Sequence, residues 1–141
     1  METESVQVMF EQHHWVATAC IGGAVLVADS MKDRISADLA RQLRQLYARQ
    51  LTPAGNLRIA MVPVQKQKDA SSCGVYAAAF AFDLASGAVT STETSLDSDY
   101  GSPRDMRLHL ARCFEGNVLI PFAKTTVKKR GRKAQPRMVT I

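Results

Sequence analysis

The chain has 141 residues, 46% of them hydrophobic, and a formal net charge of +5, enough material for one domain that buries about two-thirds of its unfolded surface. No apolar run approaches the roughly 20 residues that span a bilayer, the opening METESVQVMF does not resemble a signal peptide, and Cys20, Cys73 and Cys113 lie too far apart for a disulfide scaffold or a metal site. The expectation is a soluble, intracellular monomer with free thiols, no membrane segment and no cofactor.

The charge is unevenly distributed. Seven of the eighteen basic residues (Lys124, Lys128, Lys129, Arg130, Arg132, Lys133 and Arg137) follow Ala123, and no acidic residue does. What precedes them holds eleven basic against thirteen acidic residues, so a mildly acidic body carries a basic tail.

In chain order, Ser5 to Phe10 alternates with Val6, Val8 and Phe10 on one side, the period of a short strand. His14 to Cys20 and Ala24 to Asp29 are two β-branched, apolar runs around Ile21-Gly22-Gly23, which reads as a hairpin with a glycine turn. The period then changes. Ser36 precedes ADLARQLRQLYARQ, whose Leu39, Leu43, Leu46 and Tyr47 form one stripe, so Ser36 is expected to cap an amphipathic helix. Pro53, Gly55 and Asn56 end it, and Leu57 to Val64 reads as a strand stopped near Pro63.

Cys73 opens GVYAAAFAFDLASG, an alanine- and aromatic-rich buried helix with Ser71 or Ser72 as cap and Gly87 as its stop. Ala88 to Ser102 is rich in Ser, Thr, Asp and Gly and reads as a surface loop. Pro103 suits the first position of a helix over RDMRLHLARCFE, with Gly116 as its stop and Val118 to Phe122 as an apolar strip that packs back. Residues 124–141 read as a disordered tail.

Cys73 stands out chemically because the first turn of a helix favours the thiolate, the reactive form of a thiol. A buried structural cysteine is the competing reading for any single cysteine. Here small residues flank the thiol, and Gly74 lets a substrate carbonyl approach the backbone. A thiolate nucleophile also needs a base and an orienting group. His14 opens one strand of the hairpin and Asp29 closes the other, and antiparallel pairing can bring those ends together. His13 and His14 point to opposite faces of a strand, so they cannot share one site. Cys20 and Cys113 read as core, as do Tyr76, Phe80 and Phe82; with His13 and His109 the two cysteines lack the short spacing of zinc ligands.

HHWVATACIGGAVLVADSM, followed some thirty residues later by VPVQKQKDASSCGVYAAAFAFDLASG, resembles the His-Trp, Asp-Ser and Gln-to-Cys-Gly-Val-Tyr blocks of the SUMO-type, adenain-related cysteine proteases. The resemblance covers residues 5–122. It implies an α+β, papain-like fold with a small, mainly antiparallel sheet packed on the nucleophile helix. It also implies His14 as general base, Asp29 as its orienting carboxylate, Cys73 as nucleophile and Gln67 as oxyanion donor, Gln65 fitting that last role less well. Trp15 corresponds to the aromatic that shapes the channel for a substrate's Gly-Gly tail, beside Gly74. Domains of that family place a helical, substrate-contacting segment ahead of the histidine. Residues 1–123 are thus expected to correspond to the C-terminal portion of a catalytic domain, as a fragment, a truncated gene model or a transposon-associated copy.

The implied activity is a thiol peptidase or isopeptidase that cleaves after the terminal glycine of a ubiquitin-like protein, needs no cofactor and resides in the nucleus or cytoplasm, the nucleus favoured. The alternatives are a catalytically incomplete fragment that binds ubiquitin-like proteins, and a nucleic-acid-associated fragment. For the last, KKRGRK is the relevant feature: such basic runs serve as nuclear localisation signals, lie along DNA phosphates, or are merely solvated.

Overall fold

The computed structural model describes residues 5–87, 98–126 and 136–141. Its seven strands are β1 (Ser5–Glu11), β2 (His14–Ile21), β3 (Ala24–Ala28), β4 (Arg58–Met61), β5 (Ser98–Asp99), β6 (Thr125–Thr126) and β7 (Arg137–Thr140), and its three α-helices are α1 (Ala37–Leu46), α2 (Cys73–Ala85) and α3 (Pro103–Gly116). Five strands form a mixed sheet in the order β1-β2-β3-β4-β7, antiparallel except for β3 with β4, and β5 pairs with β6 apart from it.

Two tight hairpins set the register. Gly22 and Gly23, both at positive φ, join Ile21 to its partner Ala24. Gln12 and His13, at φ of 46° and 59°, join Glu11 to His14 in the same way. Positive φ at both central positions gives a turn whose twist matches that of the strands. Gln12 and His13 achieve it without glycine, at some conformational cost. Their period of two then sends Ala17, Ala19 and Ile21 to one face of β2 and Val16 and Cys20 to the other.

Each face is covered by helix. Val75, Tyr76, Ala79, Phe80 and Leu84 of α2 pack on the first face together with Met106 of α3. On the other, Leu39 and Leu43 of α1, with Tyr47, cover Val25, Val27 and Ile59. Complete burial of Leu39 and Leu43 stabilises the fold by about 1.5–3 kcal/mol each. Strand β3, flanked by β2 and β4 and covered on both sides, is buried at every residue, which explains why AVLVA carries no alternation.

The expected helices are present. Ser36 Oγ accepts from the Leu39 amide at 3.0 Å, and Ser102 caps α3 ahead of Pro103. Gly87 follows α2 at a φ of 81°. At the end of α3 the stop is Asn117, in the left-handed region, one residue beyond Gly116. The strip after it does not pack back as a unit. Val118, Leu119 and Ile120 are at least half exposed and only Phe122 is buried, because the turn at Asn117 aims them outward.

The region after Ala123 also differs from the tail read in the sequence. Lys124 pairs with buried Asp83 at 2.8 Å, β6 follows, and β7 adds an edge strand to β4. RMVT is short and follows a basic, glycine-containing run, so its pairing came from an edge 80 residues upstream and not from a local pattern. The KKRGRK cluster and most of the Ala88–Ser102 segment lie outside the described residues; of that segment, Ser98–Asp99 forms β5.

Candidate active site

Cys73 is the first residue of α2, with Ser72 as N-cap. The Ser72 side chain makes no cap bond; Asp69 fixes the turn ahead of the helix. Its Oδ1 accepts from the amides of Ser71 at 3.1 Å and Ser72 at 2.9 Å, and its Oδ2 accepts from the Ser72 hydroxyl at 2.6 Å. That hydroxyl accepts in turn from Arg107 of α3 at 2.9 Å. The Ser72 hydroxyl above all, then the two amides and the Arg107 charge, holds the Asp69 carboxyl below its ordinary value. The turn before the thiol is therefore fixed on one side by Asp69 and on the other by α3. Cys73 itself is a free thiol, 8% exposed.

His14 opens β2, and Asp29 is the residue after β3. Antiparallel pairing of Ala17 with Ala28 puts both at one end of the sheet. His14 Nε2 lies 2.5 Å from Asp29 Oδ1, with both side chains buried. A carboxylate only accepts, so Nε2 carries the proton of this bond, and in the neutral imidazole Nδ1 is the nitrogen with the lone pair. Oδ1 also accepts from the amides of Met31 at 2.8 Å and Lys32 at 2.9 Å, which fixes the carboxylate independently of the imidazole. His14 Nδ1 and Asp29 Oδ2 have no hydrogen-bond partner among the described residues. No hydrogen bond therefore joins the imidazole to the Cys73 thiol.

Trp15 connects strand and helix: a Cβ added to Gly74 would lie 3.8 Å from its Cδ1. The start of α2 thus sits beside the start of β2. Trp15 is 42% exposed and its ring lies 4.9 Å from that of Phe10, itself 47% exposed. His13, in the β1–β2 turn, is exposed and outside the buried pair.

Gln67 bridges the two halves of the site. Its amide hydrogen donates to the Ser30 carbonyl at 2.8 Å, its side-chain oxygen accepts from the Ser30 hydroxyl, and its Nε2 donates to the Asp69 carbonyl at 2.8 Å. One end holds the residue after Asp29 and the other the turn before Cys73. Gln65 is committed elsewhere. Its oxygen accepts from the Tyr100 amide at 2.8 Å, and its Nε2 reaches Tyr76 and Asp99 at 3.4 Å.

Sequence reasoning singled out His14, Trp15, Asp29, Gln67, Cys73 and Gly74, and the fold gathers them at one end of the sheet. It missed Asp69, whose spacing of three from Ser72 is a usable turn signal. It also missed Lys66, which donates to the Asp29 carbonyl at 2.9 Å, and the buried Glu11. Neither has a local signature.

These residues define an α+β protein with a helix-start cysteine and a buried His–Asp pair at one end of a mixed sheet. Comparison of the chain with protein-family models, with curated proteins and with solved structures returned no match.

Proposed function

We propose that the chain is a papain-like cysteine peptidase or isopeptidase of the SUMO-type, ubiquitin-like-protein-specific class. The observation that carries this reading is the buried His14–Asp29 pair at 2.5 Å, its Nδ1 unpartnered, at the sheet end where α2 begins with Cys73. The order and spacing of the sequence blocks support it independently.

In this reading the Cys73 thiolate attacks the carbonyl of the substrate's terminal glycine, forming a C–S bond. The oxyanion is stabilised by the backbone N–H of Cys73 and by the Gln67 Nε2 hydrogen that Asp69 does not use. His14 Nδ1, protonated by the thiol, returns that proton to the departing amine as the C–N bond breaks. Water then gives a proton to Nδ1 and attacks the thioester carbonyl; as the C–O bond forms the C–S bond breaks, releasing the glycine carboxylate and the Cys73 thiolate. Asp29 holds the imidazole so that Nδ1 is the nitrogen presented. Gly74, beside Trp15, puts no side chain in the approach to the first turn of α2, which suits a substrate ending in glycines. Catalytic hydrogen bonds commonly tighten only when substrate is bound.

The unpartnered Nδ1 also favours a second reading, a domain that binds ubiquitin-like proteins without turning them over. One experiment separates them. The folded chain is incubated with a panel of ubiquitin-like proteins ending in an electrophilic glycine, alongside Cys73→Ala and His14→Ala. Capture by one member, lost in Cys73→Ala and slowed in His14→Ala, is the expected result. Binding by calorimetry without capture would transfer the assignment to the second reading.

A further inference from the structure

We infer that Glu11 is a positioning residue, holding the segment that carries Asp29 in place and through it the orientation of His14. The catalytic consequence rests on the protease reading, but the geometry does not.

Glu11 ends β1 and is the register partner of His14 across the two-residue turn. Cross-strand partners share a face of the sheet, and Glu11 is as buried as His14, each 2% exposed. An ionised carboxylate so placed is costly unless it is bonded, and the mechanism above does not use it. Among the described residues its side-chain contacts lead into one stretch of chain, residues 29–36. Glu11 Oε2 accepts from the Ser36 hydroxyl at 2.9 Å, and Oε1 lies 3.9 Å from Lys32 Nζ. Lys32 Nζ also donates to Gln12 Oε1 at 3.3 Å, in the turn itself.

The same stretch holds His14. Asp29 at its start bonds the imidazole, and the Lys32 amide fixes Asp29 Oδ1. The two residues flanking the hairpin turn are therefore clasped by one segment, His14 at its beginning, Glu11 at its middle and end. Lys32 is the joint: its amide donates to Asp29 Oδ1, and its ammonium donates to Gln12 and stands 3.9 Å from Glu11. Loosening Glu11 frees Lys32, and with it one of the two amides that fix the carboxylate beside His14. A well-packed apolar residue in place of Glu11 would stabilise the core at least as well, so its worth lies in setting this geometry.

The test uses the full chain and two variants, Glu11→Gln, isosteric and uncharged, and Lys32→Met, which cuts the same contact from the exposed side. Proton NMR follows the low-field His14 Nε2–H resonance bonded to Asp29, and capture kinetics follow the rate at saturating electrophile and the half-saturating concentration. Both variants are expected to move or broaden the resonance. The saturating capture rate is expected to fall ~10-fold at an unchanged half-saturating concentration. A merely structural role would shift the melting temperature and leave the resonance of the folded variant in place. Folded Glu11→Gln with the wild-type resonance overturns the inference; should that variant not fold, Lys32→Met with the wild-type resonance does so. If wild-type Cys73 captures nothing, the protease reading fails and the resonance alone decides this inference.

Discussion

The Asp29 carboxylate has two duties that a single substitution separates. Two backbone amides and the His14 imidazole converge on Oδ1, so Asp29→Asn with its amide oxygen at that position keeps the shape of the turn and the bond from Nε2–H. What it removes is the negative charge that stabilises the imidazolium formed when His14 takes the thiol's proton. Capture of Cys73 is expected to slow by on the order of 10²–10⁴-fold while circular dichroism stays that of the parent. Gly74 gives the complementary measurement. A Cβ there meets Trp15 Cδ1 at 3.8 Å, ordinary van der Waals contact, so Gly74→Ala is expected to fold normally. It narrows the approach over the first turn of α2. Capture by a glycine-ended protein is expected to fall several-fold, and alkylation by iodoacetamide, which is small enough to pass, to stay unchanged. His14, Asp29 and Cys73 stood out through the order and spacing of the blocks that carry them, since a histidine or aspartate at a strand end is ordinary when taken singly. Glu11 did not, because a glutamate at the end of an alternating strand looks like any solvated one until residues 29–36 fold over it.

At the level of elements, legibility followed the range of the signal. Gly22-Gly23, the Ser36 cap and Pro103 at the start of α3 are local chemistry, and those elements form as read. Gln12-His13 carries no glycine or asparagine, and the hairpin it makes is imposed by the pairing of β1 with β2. The start of α2 is another case, since the Ser72 side chain makes no cap bond and Asp69 bonds the Ser71 and Ser72 amides just ahead of the helix. Because the Ser72 hydroxyl and those amides favour its ionised form, the Asp69 carboxyl is depressed below its ordinary value of 3.8. A depressed carboxyl contributes stability that is present above that ordinary value and lost as the pH falls through the folded one. Asp69→Asn is expected to melt below wild type at neutral pH, with the two melting curves converging in strong acid. Melting temperatures between pH 7 and pH 2 provide the check. On the opposite face, Leu43→Ala removes a fully buried side chain packed under β3 and β4, with an expected loss of about 2–5 kcal/mol in urea unfolding.

For the molecule as a whole, the chain after Ala123 is the part where structure alters the experiment to be done. Deleting it to test a basic arm would remove Lys124, whose ammonium lies 2.8 Å from the buried carboxylate of Asp83. It would also remove β7, which pairs with β4 from Arg58–Thr140 to Met61–Arg137 and continues as reciprocal backbone bonds between Leu57 and Ile141 at 2.8 and 3.0 Å. Val139 and Ile141 also pack against the α1 face of the core. Truncation after Pro136 is thus expected to cost about 3 kcal/mol or more from ladder bonds and apolar contact together, read as a lower urea midpoint. It also bares the edge of β4, a template for association, so the truncated chain is expected to show larger species in size-exclusion chromatography. The charge question needs substitutions that leave the strand intact. Exchanging Lys128, Lys129, Arg130, Arg132 and Lys133 for glutamine removes five positive charges without touching β6 or β7. If the cluster lies along phosphates, these exchanges weaken binding to a DNA duplex and flatten its dependence on salt, at an unchanged urea midpoint. Unchanged affinity and salt slope would leave the cluster without a nucleic-acid role, while the end of the chain keeps its place in the sheet.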